Sequence, residues 1–252
     1  HMKYLLIPIL IVSSFGLASC SVDLNSKSPS TNYLDRVTAS SNSIVQKRTI
    51  SAFEGLDVSS AIAVTVDDAN YDDEITVEAP DNIMDRITTQ VENGILVIKI
   101  KGTVNLKDAS IKVKFPHRKL RSFAVSGASS VNVLPTLKVE KINIDLSGAS
   151  NLKLDVISNQ ILVDNSGASS MKISGNTQNL KISVSGASSL IAKEMKAANV
   201  IIDCSGASSS TVWAIDTLKA NSSGASSVKY IEQSGLKTTI ETSVMASVKS
   251  IK

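Results

Sequence analysis

The sequence SGASS recurs through the second half of the chain and decides the fold. It stands at residues 126–130, 166–170, 185–189, 205–209 and 223–227, with SGASN at 147–151 and a degenerate copy, SVMAS, at 243–247. Successive copies start 18 to 21 residues apart, which is too regular for unrelated serine-rich loops. A fixed period in this range indicates a repeat protein whose units stack on their neighbours.

The residues that flank each copy alternate between apolar and polar side chains. Three positions before the first serine stand the apolar residues Phe123, Ile144, Val163, Ile182, Ile202, Ala220 and Ile240. One position later the row is mostly polar: Ala124, Asp145, Asp164, Ser183, Asp203, Asn221 and Glu241. A period of two indicates strands, and the glycine permits a sharp corner with positive φ, with alanine expected on its crowded inner side. We predict an all-β fold, a parallel β-solenoid (β-helix) with coils of about 20 residues.

The stretch before the repeats is also rich in strand patterns but lacks their period. Phe53 to Val66 alternates, and Asn93-Gly94 is a hairpin signal between two apolar runs. We therefore predict an N-terminal β domain at residues 48–125 and the solenoid at 126–252. The N-terminal domain would cap the first coil, because an open coil end exposes a sheet edge that can pair with another chain.

The first residues carry the pattern of a lipoprotein leader. His1-Met2 is interpreted as a tag remnant, and the apolar run from Tyr4 to Val12 is too short to span a bilayer. Leu17-Ala18-Ser19-Cys20 is typical of a lipobox, so residues 1–19 are predicted to be removed and Cys20 to be lipidated. Residues 20–47, rich in Ser, Asn and Thr, are predicted to tether the folded part to the membrane. The expected address is the cell envelope, as an outer-membrane lipoprotein, with the periplasmic or surface face left open.

Two tracts resemble a known family. They are FEGLDVS, from Phe53 to Ser59, and KLRSFAVSGASS, from Lys119 to Ser130, followed by the repeated SGAS corners. Together they resemble the Bacteroidetes lipoproteins described as "putative auto-transporter adhesin, head GIN domain", over roughly residues 48–252. The resemblance implies a β-helical fold, an envelope location and an adhesin function. It implies no particular functional residues.

The polar row provides the candidate site. Asp145 and Asp164 hold equivalent positions in consecutive coils, so their Cα atoms are expected about 4.8 Å apart. Paired carboxylates at such a separation serve retaining glycosidases, which makes a β-helical lyase or glycosidase the alternative function. With Asp203 the same row is a candidate to bind a cation or another ligand. A solvated polar face explains the row equally well, and the repeats lack the aromatic platforms usual in polysaccharide-active enzymes.

Other chemistry finds little support in the sequence. The formal net charge is only +3 and aromatic residues make up 4% of the chain, which argues against nucleic-acid binding. His117 has no serine or aspartate in a distinctive context nearby, and Cys204 falls on the apolar row, where a buried inert thiol is expected. We therefore predict a non-catalytic envelope lipoprotein without a cofactor or metal, anchored in the membrane, that binds a glycan, matrix or another envelope protein.

Overall fold

The structure is a computed structural model, and it describes residues 37–68, 74–117 and 119–252. The described strands are β1 (Val37–Thr38), β2 (Ser43–Thr49), β3 (Gly55–Val58), β4 (Ile62–Asp67), β5 (Glu74–Pro80), β6 (Ile87–Glu92), β7 (Ile95–Ile100), β8 (Val104–Asn105), β9 (Ile111–Pro116), β10 (Ser122–Val125), β11 (Ser130–Lys138), β12 (Lys141–Leu146), β13 (Asn151–Asn165), β14 (Ser170–Val184), β15 (Ser189–Cys204), β16 (Ser209–Ser222), β17 (Ser227–Ile231), β18 (Lys237–Thr242) and β19 (Ser247–Ile251). A 3₁₀ helix, Asp81–Arg86, joins β5 to β6. No described helix is long and apolar enough to cross a membrane.

Parallel pairing between successive coils confirms the solenoid. The segments that precede the corners stack in the order β7, β3, β10, β12 and then the second halves of β13 to β16, ending at β18. The segments that follow the corners stack in the same way, from β9 through β4 and β11 to β19. Each coil therefore hydrogen-bonds to the coil above and the coil below it.

The apolar row predicted to face inward forms the core. Its members from Phe123 to Ala220 are at most 5% exposed, whereas Ile240, in the last coil, is 40% exposed. The strands of the solenoid bury alternate residues, as in β12, because successive side chains of a strand point to opposite faces. Val, Ile, Leu and Ala side chains make up most of this core.

The predicted domain boundary between residues 125 and 126 is wrong. Strands β3 and β4, which lie before it, pair in parallel with β10 and β11 and belong to the same stack. Residues 34–252 accordingly form one compact unit. The corner between β3 and β4 uses Ser60 and Ala61, with φ of 73° and 59°, in place of a glycine, so the repeat cannot be recognised there by its sequence.

The N-terminal region does supply a cap, built from antiparallel strands. β5 pairs antiparallel with β9, β6 with β7, and β2 with β5. The predicted tether at 20–47 is therefore too long, because Ser43–Thr49 forms β2. That strand lies almost wholly exposed, which explains why its sequence lacks the apolar period of a core element.

The corners repeat one hydrogen-bonded geometry. The glycine of each SGAS copy has positive φ, as at Gly167 (+75°), and Ala168 N donates to Gly148 O of the coil before at 2.7 Å. The expectation that alanine lies on the inner side is wrong. The second serine of the motif faces inward instead: Ser169, 1% exposed, donates from Oγ to Ser166 O at 2.7 Å. A buried hydroxyl is tolerated there because it satisfies a corner carbonyl.

Candidate functional site

The predicted polar row lies on the outer face of the segments that precede the corners. Asp145 and Asp164 are register neighbours on β12 and β13, Asp164 is followed by Ser183, and Ser183 by Asp203. All four side chains are exposed. We call this surface the acidic face, defined by Asp145, Asp164, Ser183 and Asp203 with the outward residues beside them.

The Asp145 carboxyl is partly buried and lies beside Asp164. Partial burial raises the pKa of the Asp145 carboxyl above its usual value, and the negative charge of Asp164 raises it further. Neither carboxylate has an ion-pair partner among the described residues. The two carboxylates stand at equivalent positions of consecutive coils, as neighbouring members of a ladder do.

The row does not converge on one cation. Ser183 separates Asp164 from Asp203, which places their Cα atoms two strand spacings, about 10 Å, apart. Two oxygens bound to one calcium ion lie within about 5 Å of each other. No group of three or more His, Cys, Asp or Glu residues could hold a metal ion in the described part of the chain. Asp203 instead accepts a hydrogen bond from Asn221 Nδ2 at 2.6 Å.

A shallow groove of about 840 Å³ runs along the acidic face. Its floor carries carboxylates together with the amides of Asn143 and Gln160, the lysines Lys141 and Lys181, and the partly exposed side chain of Leu162. Such a mixture of acceptors, donors and a small apolar surface suits a polyhydroxylated ligand. Phe123 also borders the groove, but it is only 2% exposed and offers no aromatic platform.

A second cluster, which no sequence pattern reveals, lies at the edge of the same face near the capped end. Two adjoining cavities of about 550 and 630 Å³ share Glu54, Lys119, Arg121 and Ser122. The second cavity is also lined by Lys138, Glu140 and Lys141. We call the two cavities the basic groove, defined by Lys119, Arg121, Lys138 and Lys141. Lys119, Arg121 and Lys138 flank the corner of the β10–β11 coil, and Lys141 begins the next coil. Their spacings are irregular, and folding alone brings them together.

His117 lines the basic groove but has a structural role. Its Nε2 lies 2.6 Å from Phe53 O, and its ring packs edge-on against the Phe53 ring at 4.6 Å between centroids. Lys119 N donates to Nδ1 at 3.5 Å. Burial lowers the pKa of His117 and favours the neutral ring. Since both nitrogens contact the backbone, His117 is not placed as a general acid or base.

Cys204 is a free, buried cysteine. Cys204 is 3% exposed, its Sγ lies 3.2 Å from Ser210 Oγ, and burial raises the pKa of its thiol. The thiol is buried, as the sequence predicts. The predicted lipidation site, Cys20, lies outside the described residues.

Comparison with known proteins establishes the family and the fold. The sequence profile of the family described as "Putative auto-transporter adhesin, head GIN domain" matches residues 52–233. A putative adhesin of Bacteroides fragilis is 20% identical, with a TM-score of 0.77 over 85% of this chain and 100% of that one. A putative adhesin of Parabacteroides merdae is 17% identical, with a TM-score of 0.70 over 86% and 100%. A putative lipid binding protein of Parabacteroides distasonis is 18% identical, with a TM-score of 0.68 over 86% and 100%. No functionally curated protein matches the chain.

Proposed function

Since this chain belongs to the family described as "Putative auto-transporter adhesin, head GIN domain", we propose that it is a non-catalytic binding module of the cell envelope. In this proposal the lipid on Cys20 holds the protein at the outer membrane. The acidic face then binds a glycan along the length of the solenoid. The family description supports an adhesin at the cell envelope, and the choice of a glycan comes from the chemistry of the acidic face.

The observation that carries the proposal is the continuity of the acidic face. Successive stacked segments present their outward side chains at intervals of about 4.8 Å, and the groove spans several coils. Carboxylates and amides along it accept hydrogen bonds from sugar hydroxyls, while Leu162 and the 43% exposed Ile201 can pack against the apolar faces of sugar rings. A regular surface of this kind suits a repeating polymer better than a small substrate, which needs a closed pocket.

The same geometry argues against the enzyme alternative. Glycosidases and lyases assign different roles to their acids, and each acid sits in an environment that shifts its pKa toward that role. Asp145 and Asp164 instead stand at equivalent positions of consecutive coils, both are exposed, and neither has an ion-pair partner among the described residues. The described cluster that does break the repeat, the basic groove, contains a histidine whose nitrogens are both engaged with the backbone.

The proposed ligand can be tested with a glycan array on residues 21–252, which keep the whole compact unit. Wild-type protein should bind one or more neutral glycans, and the double variant Asp145→Asn/Asp164→Asn should lose that binding. Asp216→Asn/Glu232→Gln is the matched control, because it removes two exposed charges outside the groove. Equal loss in both variants, or no glycan bound by the wild type, would reject the glycan. Release of reducing ends or unsaturated sugars, abolished by Asp164→Asn, would establish the enzyme instead.

The proposed anchor is tested separately in cells. Replacing Cys20 by alanine should release soluble protein or leave an unprocessed precursor, because lipid transfer and cleavage both require the thiol. The readout is the distribution of protein between membrane and soluble fractions, together with its size on a gel. A Cys20→Ala product that is processed and still sediments with membranes would contradict the anchor.

A further inference from the structure

The basic groove has the composition of an anion site. We propose that it binds the phosphate groups of lipid headgroups on the membrane to which the chain is tethered. This proposal rests on the lipid anchor of the proposed function for its biological setting. The two grooves meet at Lys141, but Lys119, Arg121 and Lys138 lie outside the groove of the acidic face.

The positive charge of the groove is only partly compensated by acidic side chains. The guanidinium of Arg121 pairs with the carboxylate of Glu54, and Asn159 Nδ2 donates to Glu140 Oε1 at 2.5 Å. Among the described residues, no acidic side chain pairs with the lysines Lys119, Lys138 or Lys141. All three lysine side chains are exposed and line one concave surface, so an incoming phosphate could contact several of them at once.

The repeat does not account for this charge. In the next four coils the positions equivalent to Lys141 are occupied by the neutral residues Gln160, Asn179, Asn199 and Thr217. The position equivalent to Lys138 in the next coil is Ile157. The cations of the basic groove thus do not continue as a ladder into the next coil.

The groove lies at the same end of the solenoid as the entry of the tether. Asn93, Gly94 and Ile95, at the start of the terminal coil, line it. The chain enters the described structure at Val37, which pairs with Val104 in the loop between the two main strands of that terminal coil. A lipid anchor gains a second attachment when a basic surface beside it meets anionic headgroups. The position of the groove suits this second attachment.

Vesicle co-sedimentation with residues 21–252 tests the proposal without the anchor. Wild-type protein should bind vesicles of phosphatidylcholine mixed with phosphatidylglycerol and leave phosphatidylcholine vesicles unbound. The double variant Lys119→Gln/Lys138→Gln should lower the partition coefficient roughly thirtyfold at low ionic strength. Lys229→Gln/Lys249→Gln is the matched control and should change it less than about twofold. Those lysines lie on another face, at least five strand spacings or roughly 24 Å away, beyond the screening length of about 8 Å.

Competition distinguishes the sources of the phosphate. Displacement from the vesicles by inorganic phosphate would show that the groove recognises the phosphate itself, whereas resistance to it would show that recognition requires the headgroup in a surface. Either result supports the proposal. Equal losses in the test and control variants, or wild-type binding to heparin but not to the anionic vesicles, would overturn it. Because this assay uses neither Cys20 nor a neutral glycan, its failure would leave the proposed function standing.

Discussion

Replacing Gly167 by alanine perturbs the stacking of the corners at a single atom. Gly167 has φ +75°, and a Cβ added there would lie 2.5 Å from Gly148 O and 2.9 Å from Gly148 N. Real Cβ atoms essentially never approach within 3.0 Å. Gly148 cannot easily withdraw, because its carbonyl accepts the hydrogen bond from Ala168 N at 2.7 Å.

Two costs contribute, and a second glycine separates them. Positive φ costs an alanine about 1 to 2 kcal/mol, and forcing atoms into a packed site costs about 1 to 3 kcal/mol more. Gly235 has φ +84°, but a Cβ at this residue would meet nothing within 4 Å, so Gly235→Ala should incur only the first cost. We therefore expect a loss of unfolding free energy of about 2 to 5 kcal/mol for Gly167→Ala and about 1 to 2 kcal/mol for Gly235→Ala.

Urea titration of both variants and the wild type, followed by circular dichroism in the strand region, measures these losses. The slope of the unfolding free energy against urea concentration should stay unchanged, because the variants expose the same surface on unfolding. Equal losses for the two variants would refute the reasoning, since the clash between stacked corners would then cost nothing. The chain already carries a side chain at a corner position of this kind. Ser60 holds the glycine position at φ 73° in the corner that starts the SGAS stack.

Three further predictions use the same stability assay or a thiol reagent. Asp145→Asn should raise the urea midpoint at about pH 7 but not at about pH 3. The raised pKa of the folded carboxyl destabilises the fold once pH exceeds it, and the effect vanishes where both states are protonated. A raised midpoint at both pH values would contradict this. The Cys204 thiol should react with Ellman's reagent only on unfolding, and rapid labelling of native protein would show that it is accessible. Ser169→Ala should cost about 1 kcal/mol, whereas exposed Ser170→Ala should cost less than about 0.5 kcal/mol; a reversed order would place the inner hydroxyl wrongly.

The sequence predicts the fold well where the repeat is strict. A stacked coil forces equivalent residues into equivalent places, so the period and the alternation together predict the strands, the corners and the inward row. The prediction fails in the N-terminal coils and the cap, where residues are not held at equivalent positions by a strict repeat. Ser60 and Ala61 replace the glycine corner in the β3–β4 coil, and β2 lacks an inward apolar row because the strand is almost wholly exposed.

The acidic face is predictable for the same reason as the fold. Asp145 and Asp164 are register neighbours because they stand at the same position of consecutive repeats. The basic groove is not predictable in this way. Lys119 and Arg121 precede the first SGAS copy, and Lys138 follows a strand segment whose register shifts between Asn132 and Thr136. No period connects these residues, and only the folded coils place them on one surface.

Binding function in a solenoid should therefore be sought in side chains that the stack does not need. Backbone hydrogen bonds and the inward row hold neighbouring coils together, so the outward side chains are free to vary without loss of the fold. Lys119 and Lys138 are outward cations at the two ends of the β10–β11 coil, without an ion-pair partner among the described residues. Their removal should leave unfolding unchanged while it alters binding, which is the opposite of the result expected at Gly167.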